Sequence, residues 1–246
     1  MSAKLHSDIE QYIDHFRGEH SKLKEVKHRL HRKVQVVMML DALARGRYPE
    51  TQYRKFGSRD RFLNLIEQHS NWPHATSVST SQLMMMIQER GGAAACGVSD
   101  ELDTWLDDWS KRHKPSRVDG LGIDPSSTEL LQQHPNEREL KLVDEAKHSS
   151  LLYEYRCVLV HEYREPGHGF EFNETDMAPS YQDAQREDGR KNVELVYPAG
   201  WFLSLVPPIL DSLAAYYDRE GYNPYDSYRF GSPWRRHSRS VRSSSN

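Results

Sequence analysis

Residues 151–161, Leu151-Leu152-Tyr153-Glu154-Tyr155-Arg156-Cys157-Val158-Leu159-Val160-His161, are apolar on nearly every side of a helical wheel. A helix of that kind belongs in the middle of a helical protein, not on its surface. Upstream, Asn136 with Glu139 three residues on has the pattern of a helix start. The spacing therefore predicts one helix from Glu137 to about His161. Pro166-Gly167 ends it, because proline cannot continue a helix and glycine favours its exit.

Working back toward the N-terminus, helical spacing recurs. Ser7-Asp8-Ile9-Glu10 reads as a capping box, followed by Ile9, Tyr12, Ile13 and Phe16, with Gly18 as the expected break. Leu23, Val26, Leu30, Val34, Val37, Leu40 and Leu43 predict a long amphipathic helix that stops near Gly46. Phe62, Leu63, Leu65 and Ile66 mark a shorter helix. Ser79 to Gln82 caps another, whose Met84-Met85-Met86 triplet is expected to fill core gaps. Ser99 opens a segment carrying Trp105, Leu106 and Trp109. Residues 115–135 are rich in Gly, Pro and Ser and read as a linker-like excursion, with one helical turn at Leu130-Leu131.

Beyond Pro166 the period changes to two. Phe170 and Phe172 alternate, as do Val193, Leu195 and Tyr197, which predicts a short hairpin inside about 168–198 with Asn173 to Asn192 as its connection. A last helix carries Phe202, Leu205, Val206, Ile209, Leu210, Leu213 and Tyr217, with a kink or restart expected at Pro207-Pro208. The expected organisation is a helical region over 1–114, the excursion, a core over 136–234 containing the hairpin, and a disordered Arg/Ser tail over 235–246.

Composition narrows the function classes. The chain has 246 residues and a net charge of -3, so bulk positive charge does not drive contact with nucleic acid. Basic side chains cluster locally instead, at Lys22, Lys24, Lys27, Arg29, Arg32 and Lys33, and in the tail. The two cysteines, Cys96 and Cys157, form neither a disulfide framework nor a metal knuckle. Asp8, Glu10 and Asp14 argue against a signal peptide, and the longest apolar run is too short and interrupted to span a bilayer. A cytoplasmic setting is the expectation. His161, Glu162 and His168 lack a metal-ligand spacing, so neither metal nor cofactor is expected.

An arginine and a histidine at the end of a buried helix suit phosphate chemistry. Arginine forks onto phosphate with two hydrogen bonds, and histidine exchanges protons near neutrality. Together they suit cleavage of RNA by the adjacent 2′-hydroxyl, with His161 as acid or base and Arg156 holding the phosphate. Five residues of ideal helix set the two side chains about 140° apart and about 7.5 Å along the axis. Convergence therefore requires either an unwound last turn or two copies of the motif facing each other across a dimer. In the purely structural reading, His161 caps the helix C-terminus and Arg156 pairs with Glu154, Glu162 or Glu165.

The stretch Tyr153 to Gly167, with Arg156-Cys157-Val158-Leu159-Val160-His161 at its centre, resembles the R-x4-6-H signature of the HEPN superfamily, in a bacterial subgroup. The resemblance implies a mainly α HEPN-like bundle, here with the short inserted β-hairpin and additional N-terminal helices. It implies a metal-independent endoribonuclease, usually a homodimer, serving as a toxin or phage-defence effector with RNA as substrate and an antitoxin protein as partner. It makes Arg156 and His161 the catalytic pair and Glu154 the acid that orients Arg156. Tyr163, Arg164 and Cys157 become substrate-binding positions, with Tyr163 able to stack on bases. The residue after the arginine is usually polar in the family; here it is Cys157. The alternative is a non-catalytic HEPN-like module that holds RNA, a nucleotide or a protein in the same cleft.

Overall fold

The apolar period from Ile9 to Leu43 folds as two helices, α1 (Ala3–Leu23) and α2 (Arg29–Arg47), and α1 runs straight through Gly18. The computed structural model describes residues 3–112, 121–167, 177–185 and 191–226. Gly18 is exposed, and its cost of about 1 kcal/mol in a helix interior is outweighed by burial of Ile13, Phe16, His20 and Leu23 around it. The expected capping box at Ser7 lies inside α1 and is not used. The break falls at residues 24–28, where Arg32 folds back so that Nε and Nη2 donate to the Val26 carbonyl at 3.0 and 2.6 Å.

Helix α2 is the central element. It packs against α1, α3 (Ser58–His69), α9 (His148–His161) and α10 (Ala199–Glu220). Gly46 is needed for this packing, because a Cβ there would overlap the Tyr12 hydroxyl of α1. Helix α10 is continuous through Pro207-Pro208. Pro207 has no N–H for the Leu203 carbonyl four residues back. His20 of α1 supplies the missing donor, with Nε2 lying 3.0 Å from that oxygen. Helix α10 is therefore not split at the proline pair, and the carbonyl that Pro207 leaves without its helical donor is satisfied from α1.

Two apolar cores result. The larger joins α1, α2, α3, α9 and α10 through residues such as Tyr12, Leu40, Phe62, Leu152, Leu159, Phe202 and Ile209. The smaller gathers Val78 together with Leu83, Ile87, Leu102, Leu106, Leu130 and Leu142 from α4 (Thr80–Glu89), α6 (Asp100–Arg112), α7 (Ser127–Gln133) and α8 (Lys141–Glu145), with the four-residue helix α5 (Ala93–Cys96) beside them. Packing thus divides the chain differently from 1–114 and 136–234, since residues 9–75 share one core with 152–217. Within 115–135, residues 121–135 are not an excursion. Leu121, Asp124 and Leu130 are buried, and Ser126 with Glu129 forms the capping box of α7.

The helix expected over Glu137–His161 is three pieces: a 3₁₀ turn at Pro135–Glu139, α8, and α9. Backbone pairing with residues 75–79 breaks it. The Ser79 amide donates to the Ala146 carbonyl, and the His148 and Ser149 amides donate to the Ser77 and Ala75 carbonyls, each at 2.9 Å. These bonds satisfy the first N–H groups of α9, which has no side-chain cap. On its other edge the same strip pairs with residues 125–127.

Asp124 locks this junction. Its Oδ1 accepts from Thr80 Oγ1 at 3.0 Å, and its Oδ2 accepts from His148 Nε2 at 2.9 Å and from the Tyr181 hydroxyl at 2.6 Å. The His148 and Asp124 side chains have no exposed surface. Burial, and then the Asp124 carboxylate, push the Tyr181 phenol well above its ordinary pKa, so it stays protonated and donates. Ser79 Oγ, 2.6 Å from the same phenol, donates to it.

The hairpin pairs β1 (Ser180–Gln185) with β2 (Lys191–Val196), with Tyr181 opposite Leu195. It lies within the expected span, but its first strand is 180–185. The positions named for that strand, Phe170 and Phe172, and the tail 235–246 lie outside the described residues. Of the methionine triplet, Met84 and Met86 pack on the smaller core while Met85 and Met86 line a cavity. Among the described residues, no helix is long and apolar enough to cross a membrane.

Two outcomes follow for stability. Asp124→Ala leaves buried donors of Thr80, His148 and Tyr181 without an acceptor and should lower unfolding free energy by about 3 kcal/mol or more, read by urea denaturation. His69, with Nδ1 2.9 Å from Ser212 Oγ, has its pKa lowered from 6.5 to about 4, by burial first and then by Arg47 and Arg219. The folded state therefore favours the neutral ring. Its contribution is complete above the unfolded value and is lost as pH falls from 6.5 toward 4. His69→Gln should flatten the acid limb of a plot of urea midpoint against pH in that window.

Candidate functional site

Arg156 lies on the side of α9 that faces α2, and its partner comes from α2. Nε donates to Asp41 Oδ2 at 2.8 Å, and Nη2 donates to the same oxygen. Only 11% of the arginine side chain is exposed. Burial works against its charge, but hydrogen bonding to Asp41, the attraction of that carboxylate and the neighbouring Cys157 together more than offset this and hold the pKa above the ordinary value. Nη1 points along the helix to Cys157 Sγ at 3.8 Å. The guanidinium carbon is 5.7 Å from the Tyr153 ring centre.

Glu154 does not orient Arg156. Residues two apart on a helix lie on nearly opposite sides, and Glu154 is exposed along the cleft between α9 and α4. Asp41 takes the expected role. The sequence does carry a signal for it, since Asp41 is the only acid in the nineteen residues of α2.

His161 is the last residue of α9 and is exposed. It makes no hydrogen bond, ion pair or ring contact among the described residues. The last turn of α9 stays helical, so the separation set by ideal geometry stands, and no hydrogen bond joins the imidazole to Arg156. Cys157 is half-buried beside the guanidinium. Arg164 is occupied locally, with Nε 2.7 Å from Glu162 Oε2 and Nη1 3.3 Å from the Glu165 carbonyl oxygen. Tyr163 is 55% exposed and stands in the left-handed region at φ 54.

Residues that the motif does not include set the end of α9. Lys33 of α2 has no exposed surface, and its ammonium donates to Glu165 Oε2 at 2.8 Å and to the Tyr155 hydroxyl at 3.1 Å. The Tyr155 hydroxyl donates to the same carboxylate oxygen at 2.7 Å, and Arg29 Nε lies 3.4 Å from Oε1. Glu165 is thus tied to α2 and α9 together, and the chain after His161 must turn back sharply to reach it. Tyr163 provides that reversal. Lys33 was legible as an anomaly, a lysine in register with Leu30, Val37 and Leu40. Its partner, more than a hundred residues away, was not.

Between α4, α9 and β2 lies a cavity of about 440 Å³, walled by Met85, Met86, Leu151, Tyr155, Val158 and Tyr197. It sits on the other side of α9 from Arg156. Gly167 closes one end, where a Cβ would stand 2.9 Å from Glu194 Oε2.

Comparison with protein-family models, with curated proteins and with solved structures gives no match for the chain.

Glu165→Gln should strand the buried Lys33 ammonium without a counter-charge and cost about 3–5 kcal/mol in urea unfolding. Lys33→Met combined with Glu165→Gln should recover much of that loss, since the charge that needed compensation is gone.

Proposed function

We propose that the exposed end of α9 is a metal-independent RNA-cleaving site of HEPN type, with His161 moving the proton and Arg156 holding the phosphate. One observation carries the reading. A single helix bears a guanidinium kept charged and oriented by Asp41, and an imidazole that no other described group engages. Phosphate stabilisation needs a fixed cation, and proton transfer needs a ring free to meet its substrate. Nη1 is the end of the Arg156 fork that Asp41 does not engage, and its described contact is the long one to Cys157 Sγ at 3.8 Å.

The five-residue spacing on an intact helix favours a site shared by two copies of the chain. Apolar side chains remain accessible on the two helices that carry Arg156 and Asp41: on α9, Tyr153 and Val160 are half-buried, and on α2, Val34 and Ala42 are half-buried and Met38 is 56% exposed. A two-fold axis across α9 would set His161 of each copy toward Arg156 of the other. A second reading, a binding module without turnover, is favoured by the low exposure of the Arg156 side chain.

Purified protein incubated with single-stranded RNA in EDTA should cleave it and leave 2′,3′-cyclic phosphate ends. Arg156→Ala and His161→Ala should each lower the rate by about 10²–10⁴. Arg156→Lys should not restore it, because a lysine cannot fork between Asp41 and a phosphate. Mixing the two inactive variants should regain part of the activity if the pair is completed across the dimer. Cleavage that persists in both single variants refutes the site, and binding without cleavage selects the second reading.

A further inference from the structure

Two histidine rings and a tyrosine ring touch one after another on the surface, the tyrosine two residues after His161. The His28 and His31 ring centres are 4.3 Å apart, and His31 is 5.7 Å from the ring of Tyr163. All three residues are exposed. His28 is the residue before α2, yet its side chain makes no capping hydrogen bond. Aromatic rings in mutual contact but left in water hold their faces open for a further ring.

Tyr163 sharpens the point. The turn back to Glu165 requires a left-handed residue, which glycine or asparagine would supply at less cost. The chain instead places a bulky aromatic there, at φ 54, with its ring in solvent. Nothing in the packing of the fold uses that ring. Its one described contact is with His31.

The charge alongside is positive. Lys24 and Lys27, in the turn just before His28, are exposed and make no ion pair among the described residues. The carboxylates nearby are Glu19, paired with Lys22; Glu162, paired with Arg164; Glu165, held by Lys33 and Arg29; and Glu25. Exposed rings in series beside free cations are how proteins hold unpaired bases and their phosphates. The rings are buried between stacked bases only when the strand is single.

We infer that His28, His31 and Tyr163 form a stacking platform for unpaired bases of single-stranded RNA, with Lys24 and Lys27 on its phosphates, leading the strand to His161. The role in leading the strand rests on the cleavage reading above; the binding surface itself does not.

The test uses the full chain and a 2′-O-methyl dodecamer of adenosine labelled with fluorescein, which lacks the attacking hydroxyl and so cannot be cut. Fluorescence anisotropy should show it bound, and its annealed duplex bound more weakly. Tyr163→Gly relieves the left-handed backbone while deleting the ring. It should leave the melting temperature unchanged or higher and weaken binding about tenfold, whereas Tyr163→Trp should hold or tighten it. His28→Ala with His31→Ala should weaken binding similarly. Lys24→Gln with Lys27→Gln should lower the slope of log affinity against log salt by about 1.4, from two phosphate contacts.

Unchanged binding in Tyr163→Gly, or a duplex bound as tightly as the single strand, overturns the platform. Ring-dependent binding without cleavage of unmodified RNA supports the platform and ends the nuclease reading. Cleavage with binding indifferent to the rings does the reverse.

Discussion

An ammonium group sealed inside a protein has to be neutralised at close range, and in this molecule one carboxylate does it. Glu165 meets Lys33, Tyr155 and Arg29 at once. The desolvation of a lysine that has lost all contact with water would otherwise be prohibitive. That constraint fixes more than two side chains. It ties the segment after α9 to α2, sets the relation of the two helices, and forces the reversal at Tyr163 that leaves His161 at an open end. Arg156 and Asp41 repeat the device nearer the surface. The central helix therefore bears a paired cation, Lys33, and a paired anion, Asp41, both facing α9.

A second buried charge makes a different junction. Asp124 gathers Thr80, His148 and Tyr181 where a loop, the start of α4, the start of α9 and the hairpin meet. Each core is ordinary apolar packing, but packing alone is non-directional and does not specify how two cores are set against each other. Directional bonds to a dry carboxylate do. The extended strip at 75–79 acts likewise, pairing on both edges and supplying the carbonyls that start α9.

Much of the helical content was legible because it rests on local periodicity. The capping serine at Ser79, the face of α10 and the apolar wheel of 151–161 all correspond to elements of the structure. Boundaries were legible where a local rule governed them and illegible where a distant group competed. The split at 146–147 comes from residues 75–79, whose carbonyls take amides that a longer helix would have used. The continuity of α10 through two prolines depends on His20, nearly two hundred residues away. Strand β1 was missed because Gln182, Asp183 and Gln185 hide its alternation, and its anchoring residue, Tyr181, is inward only because Asp124 waits there.

By itself the sequence determined a mainly helical chain with a short hairpin, the helix that carries Arg156 and His161, and the basic run from Lys22 to Lys33. Those depend on the period of apolar residues and on the identity of side chains, which neighbouring residues suffice to define. Only the tertiary structure decided that Asp41 rather than Glu154 holds the arginine, that Glu165 answers Lys33, and that His31, in contact with His28, stands beside Tyr163. Pairings of that kind join residues far apart in the chain. They are chosen by the need of each buried charge to find an opposite one, and no local pattern encodes which one it will be.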